Sequence, residues 1–581
     1  MSQPAQPRVQ GRALLRALWR LVRIYWTSPD AKWGALLLAG AIALQLGGVY
    51  SNVLVSVAQR DVVDSLGARD AAAFGRGIAR MIAFMLFAVV VPAYADWVQQ
   101  RLRVRWRRGL TAHYLERWIG PQAYCQADLH RQELDNPDVR ITEDVRDFTA
   151  SSCGLALSLL SALVTLASFA AMLWNISAEW AIPIAGRMRQ IPGLLLWVAV
   201  GFAIFSMWLT NAVGRRLVPL NFDRIRLEAD FRYGLVRYRD HVEAVALSRG
   251  EAVERVGAVG RFLRVYDNFC QLVGAQRNLA LLTQGIGVAN TLVPLVAAGL
   301  AYFAGLLSLG VIAQTRFAYG QVSGALTWFV NAYQEIARWR ANIERLSGFS
   351  EAIDATQGEF EGGGIRLERA EGSPIRLDGV HVEAPRGRVL LDGANAVVAA
   401  GDRVAVEGRP GTGRTTLMRA LAGIWPFGSG RIEEPPRERM LFLAQRPYWP
   451  IGTLRAAVSY PSPPDSFPDE RIRDALRVLG LDELAAQLDE EEPWEQKLSA
   501  HQQQRLALAR VLLHEPDWIL LDEATSNLDA ATEAKAYELL TQRLPRAGVI
   551  AVADRPGVLP HLTRRWTLAA TAQGRVALDA A

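Results

Sequence analysis

DRVAVEGRPGTGRTTLMRALAGI, residues 402–424, runs a short apolar strand pattern into a glycine-rich turn and then into a helical pattern. Strand, tight turn and helix in succession are the context of a phosphate-cradling loop, so this stretch decides an α/β fold for its part of the chain. Gly408, Gly411 and Gly413 let successive backbone amides point inward at phosphate oxygens, and the helix that follows adds the positive end of its dipole. Thr415 is placed to ligate Mg²⁺. Position 414 departs from the pattern, because an arginine stands where such loops carry a lysine.

Three stretches downstream keep the loop company: FLAQRPYWPIGTLRAAVSYP (442–461), KLSAHQQQRLALARVLL (497–513) and DWILLDEATSNLD (517–529). In the last, WILL reads as a buried strand that delivers two carboxylates, Asp522 and Glu523, at its C-terminal end. There one acid can hold Mg²⁺ while the next orients and deprotonates an attacking water. The bland alternative is a buried structural pair; the phosphate loop favours the catalytic reading.

The rest of the chain has another character. Of 581 residues 51% are hydrophobic, and the apolar ones concentrate in the first 340 positions, which separates a membrane half from a soluble half. Spanning the hydrocarbon core takes about 20 apolar residues in a helix. Uncharged runs at 34–59, between Arg80 and Asp96, at 148–178 and at 190–214 each supply one span, and 278–334 supplies two with a hairpin over 305–314, which predicts six spans. Arg8, Arg12, Arg16, Arg20 and Arg23 precede the first run, and the connections 98–147 and 215–277 are also arginine-rich. By the positive-inside rule both ends of this half face the cytoplasm. Leu14, Leu15, Leu18, Leu21, Val22 and Tyr25 fall at helical spacing and predict an interfacial helix on the inner leaflet. The long charged connections read as helices, RVRWRRGLTAHYLERWI (103–119) and EADFRYGLVRYRDHVEAVALSRGEAVERV (228–256) among them. The net charge of +6 gathers beside apolar runs, so no nucleic-acid partner is expected. Cys125, Cys153 and Cys270 have neither metal-ligand nor redox spacing, and no disulfide framework is expected.

Phosphate loop, glutamine, LSxxQ and LLDEATSxLD in that order resemble the ATP-binding cassette transporters, as a half-transporter with a six-helix membrane domain fused to one nucleotide-binding domain. DNPDVRITEDVRDFT (135–149), residues 228–252 and GALTWFVNAYQEIARWRANIERL (324–346) resemble the group that holds YddA-like transporters, peroxisomal acyl-CoA transporters and the SbmA/BacA peptide permeases. The resemblance implies an all-α transmembrane domain of exporter type followed by an α/β P-loop domain. Its expected bounds are an interfacial helix over 1–33, the spanning domain over 34–350, a linker over 351–375 and the nucleotide-binding domain over 376–581. It further implies ATP and Mg²⁺ as cofactors, a bacterial inner-membrane location with both termini cytoplasmic, and a second half-transporter as partner beside lipid and a transported solute.

Site residues follow from the resemblance by position. Gly408, Gly411, Thr412, Gly413, Arg414, Thr415 and Thr416 would hold the phosphates. Gln445 would sense Mg²⁺, with Thr415 and Asp522 as metal ligands, and Glu523 would act on water. Ser499, His501 and Gln502 of the signature would reach the nucleotide on the opposite subunit. Four departures set expectations of their own. A broad guanidinium at Arg414 does not fill the slot of a compact ammonium. His501 puts a side chain where the signature has glycine. Asp554 replaces the switch histidine of VIAVADRPGVL (549–559), at roughly 4 kcal/mol per unit-charge pair for a carboxylate about 4 Å from a phosphate charge. No aromatic residue lies within 374–400 to stack on adenine. Slow hydrolysis is therefore expected. Two other readings stay open: a proton-driven permease with a vestigial cassette, with Asp96 and Glu335 as charged candidates at span ends, and the regulatory half of a heterodimer.

Overall fold

The computed structural model describes residues 11–120, 136–178, 180–184, 187–362, 364–385, 387–409, 411–553, 555–570 and 576–580. The chain divides into two units, one gathering Met1–Tyr114 with Asp138–Ser347, the other Leu115–Pro137 with Gly348–Ala581.

The first unit is helical apart from a short antiparallel pair of strands, β1 (Ala181–Ile184) and β2 (Arg187–Gln190). Its helices are α1 (Gly11–Trp26), α2 (Ala31–Gly67), α3 (Ala71–Ile119, continuing past the unit's edge), α4 (Val145–Ile176), α5 (Leu194–Gly214), α6 (Leu217–Asp240), α7 (Glu251–Phe303), α8 (Leu309–Leu326) and α9 (Trp328–Gly362, running on into the second unit). A turn of π-helix, Arg140–Asp144, leads into α4. Among the described residues, five helices are long and apolar enough to cross a membrane: α2, α3, the stretch Pro137–Ile176, α5 and α7. The expected sixth, α8, carries Gln314, Arg316 and Gln321 and is not among them. Its hairpin is also shorter than expected. The break covers only 304–308, because Leu309 already begins the next helix and the Asp64 carboxylate at the end of α2 accepts the Gly310 N–H at 2.7 Å.

With 53 residues, α7 is far longer than the roughly 20 that a bilayer needs. The charged stretch 103–119 lies in α3, and 228–256 is helical apart from breaks at 241 and 248–250. Large apolar side chains such as Leu86, Val89, Trp197 and Leu300 face outward, as lipid-facing residues do. The unit's interior gathers Phe169, Leu173, Leu195, Ala298, Tyr319 and Val322. In α1, Leu21 and Tyr25 are buried while Leu15 and Trp19 are exposed, and Tyr25 stacks on Trp106 of α3.

The second unit is α/β. A four-stranded sheet has the order β3 (Arg366–Arg369), β7 (Gly428–Glu434), β4 (Ile375–Glu383), β5 (Val389–Val398). A six-stranded sheet has the order β12 (Val576–Ala580), β11 (Arg564–Ala570), β6 (Arg403–Gly408), β10 (Gly548–Val552), β9 (Trp518–Asp522), β8 (Met440–Leu443). Strands β8, β9, β10, β6 and β11 run parallel, and β12 pairs antiparallel with β11. The central strands are apolar throughout because both faces are covered. Val404, Val406, Leu520, Ile550 and Val552 point to one core with α10 (Arg414–Leu421). Ala405, Ile519, Leu521, Val549 and Ala551 point to the other, with α11 (Asp469–Val478), α12 (Ala500–His514) and α13 (Ala530–Arg543). The period of two along each strand thus divides one apolar run between two cores.

Candidate functional site

In an open parallel sheet ligands bind beyond the carboxyl ends of the strands. The loop after β6 and the carboxylates after β9 both emerge there, with β10 between them in register with each, Val552 opposite Val406 and Asp522. Two strand spacings, about 9.5 Å, therefore separate the ends of β6 and β9.

The glycines of the loop are structural necessities. A β-carbon on Gly408 would lie 2.8 Å from Thr412 Oγ1 and 3.0 Å from the Leu568 carbonyl oxygen. Gly411 and Gly413 sit at φ +86° and +97°, the left-handed region that favours glycine. Gly413 is also the N-cap of α10, whose first turn has no side-chain cap. Thr412 turns its hydroxyl inward to the Arg409 carbonyl at 2.8 Å, and Thr416 is half-buried on the first turn of α10.

Asp522 closes β9, and Glu523 follows at φ +50°, strained for a residue with a side chain. The Thr415 hydroxyl donates to Asp522 Oδ1 at 3.2 Å. Burial pushes the Asp522 carboxyl above its ordinary value, and the Thr415 bond pulls the other way. Arg414 Nη2 donates to Glu523 Oε1 at 3.1 Å, and Gln445 Nε2 donates to Glu523 Oε2 at 3.2 Å. Arg414 is 8% exposed and Glu523 35%. The guanidinium, expected among phosphates, is thus engaged with the neighbouring carboxylate.

The structure brings Gly408, Gly411, Thr412, Gly413, Arg414, Thr415, Thr416, Gln445, Asp522 and Glu523 together within the second unit. Ser499, His501 and Gln502 are engaged elsewhere. Ser499 caps α12 in a capping box with Gln502, whose amide also donates to Glu483 at 2.9 Å. His501 Nε2 lies 3.3 Å from Asp529 Oδ2. Asp529 in turn caps α13, and its bonds from the Thr532 hydroxyl and backbone hold its carboxyl far below the usual range. Asp554, and Pro410 of the loop, lie outside the described residues.

Two positioning residues escape the motif reading. The buried Gln504 donates to the Gln445 carbonyl at 3.4 Å and to Ser526 Oγ at 3.3 Å, and accepts the Asn527 N–H at 2.8 Å. It ties the glutamine segment to the turn after Glu523. Arg555 donates to the Ser526 carbonyl at 2.7 Å and to Glu533 at 3.2 Å. The run of glutamines at 502–504 was the only signal for the first, and nothing in the sequence marked the second.

The residues fit a nucleotide triphosphate with a divalent cation. Uncapped amides at the start of α10 suit phosphate oxygens, and the Thr415 and Asp522 oxygens are hard donors of the kind Mg²⁺ takes.

Two family models match separate parts of the chain. The family described as ABC transporter transmembrane region 2 matches residues 21–303, and the family described as ABC transporter matches residues 391–526. An ABC transporter ATP-binding protein of Synechocystis sp. is 34% identical over 564 residues, 94% of this chain and 81% of that protein. The inner membrane ABC transporter ATP-binding protein YddA of Escherichia coli is 28% identical over 568 residues, 96% of this chain and 97% of its own. The human lysosomal cobalamin transporter ABCD4 is 24% identical over 575 residues, 92% of this chain and 91% of its own.

Proposed function

The chain belongs to the ABC transporter family as a multi-pass half-transporter with an ATP-binding domain, and from that premise we propose that it moves a peptide-like, amphipathic or cobalamin-like solute across a bacterial inner membrane as a dimer, hydrolysing ATP slowly. The arginines before α2 and in the long connections support cytoplasmic termini. The cobalamin named for the human relative and the inner membrane named for the Escherichia coli relative support the solute class and location.

The loop amides and Thr416 bind phosphate. Thr415, Asp522 and Gln445 would hold Mg²⁺, which when bound would supply positive charge beside the phosphates. Glu523 orients an attacking water and takes its proton. Ser499, His501 and Gln502 serve the nucleotide of the partner copy. Three departures support slow turnover: Arg414 supplies a fork in place of an ammonium, His501 puts bulk in the signature, and Asp554 stands in the sequence where the switch histidine is expected, a carboxylate in place of an imidazole.

The observation that carries this reading is the convergence of Thr415 on Asp522 and of Gln445 on Glu523 beyond the carboxyl ends of β6 and β9. ATP turnover of the purified full chain tests it. Glu523→Gln is expected to lower the rate about 100-fold, the lower range for a lost general base. Equal rates in the two proteins would remove Glu523 from the chemistry.

A further inference from the structure

A lysine in the loop neutralises phosphate; the arginine here has a second engagement. Arg414 is almost fully buried, and one arm of its guanidinium bonds Glu523 Oε1 at 3.1 Å while Gln445 takes the other carboxylate oxygen at 3.2 Å. The strained backbone at Glu523 and the crosspiece of Gln504 hold this carboxylate in place.

We propose that Arg414 is a positioning residue for Glu523, and that nucleotide phosphate and the Glu523 carboxylate compete for its guanidinium. The proposal rests on the reading of this loop as a nucleotide site. Its chemistry is that of a shared cation. Phosphate oxygens recruit the guanidinium as a planar fork, and the carboxylate that gives it up regains a lone pair with which to accept a proton from water. Binding and base release then become one linked equilibrium: whatever loosens the ion pair tightens nucleotide, and whatever binds phosphate frees the base. The structural alternative is a bridge, in which different arms of the fork hold carboxylate and phosphate together.

A double-mutant cycle on affinity separates the two without relying on turnover. The detergent-solubilised full chain is titrated with a fluorescent β,γ-imido analogue of ATP in the presence of Mg²⁺, as wild type, Glu523→Gln, Arg414→Met and the double variant. Methionine keeps the length of the arm without its charge, and glutamine keeps the shape of Glu523, so both preserve packing. Losing the Glu523 charge relieves simple repulsion in both backgrounds. Competition adds a further tightening of about fivefold that appears only with Arg414 present, the coupling of a modest ion pair. Equal shifts in the two backgrounds would show that the guanidinium is not contested, and a smaller shift with Arg414 would establish the bridge; either overturns the proposal alone. Absence of analogue binding in every variant would overturn the nucleotide-site reading and this proposal with it.

Discussion

Gly408 has less room than any other residue type would need. A methyl group there meets Thr412 Oγ1 at 2.8 Å and the Leu568 carbonyl at 3.0 Å, and the second contact is backbone that cannot rotate away. Gly408→Ala is expected to cost about 1–3 kcal/mol, the usual cost of overpacking, and to abolish nucleotide protection against thermal unfolding. A melting curve with and without Mg-ATP checks both; an unchanged nucleotide shift would show that the loop tolerates the distortion. The residue types of the site were legible in the motifs, since glycine, threonine and paired acids announce their chemistry through spacing. The engagement of Arg414 with Glu523 was not. Its partners are 109 positions apart, and their meeting depends on β10 being inserted between β6 and β9, an order that local spacing does not encode.

Among the elements, α12 shows what capping and burial do at the two ends of one helix. Ser499 and Gln502 satisfy the first turn reciprocally. At the other end His514 donates from Nε2 to the Ser459 carbonyl at 2.9 Å and meets the Phe467 ring at a centroid distance of 5.0 Å. Burial lowers the His514 pKa. The unfolded chain therefore takes up this proton before the folded one does, and stability present above the ordinary imidazole pKa is lost as pH falls toward the depressed value. Thermal unfolding of the full chain between pH ~7.5 and ~5.5 is expected to show this loss, and His514→Gln to flatten the slope. A slope unchanged by the substitution would assign the loss to other groups. Helix existence was legible from apolar period and arginine placement, but helix ends were less so. The hairpin expected over 305–314 occupies only 304–308, because the group that ends it, Asp64, belongs to another helix. The π turn at Arg140–Asp144 combines a local pair with a remote one: Arg140 donates to Asp144 at 2.7 Å within the turn, and Arg345, about two hundred residues away in sequence, donates to the same carboxylate at 2.6 and 2.9 Å.

At the scale of the whole chain, composition alone separated a membrane half from a soluble one, and the two family matches fall on those halves. The number of spans was harder to read, because α8 carries polar groups that lower its hydropathy below that of its neighbours while Gln314, Thr315 and Ser323 are buried within the first unit. Polar groups placed inside a helical bundle look, in sequence, like the end of a membrane segment. Each nucleotide site in the proposed dimer draws its signature from the other copy, so the solubilised protein is expected to run at twice the chain mass, and more completely with Mg-ATP and Glu523→Gln than without. Native mass spectrometry checks this, and a monomer under all conditions would contradict the dimer.

The order β6, β10, β9 also separates two kinds of change. The spacing of the ends of β6 and β9 is set by the pairing of each with β10, which lies between them. Lysine can give way to arginine at 414, and glycine to histidine at 501, while the scaffold keeps its dimensions. Such a sheet separates the speed of a molecular engine from its folding, so a cassette with the slow turnover proposed above need not be a decaying one: it can be a timer whose rate is written in a few replaceable side chains.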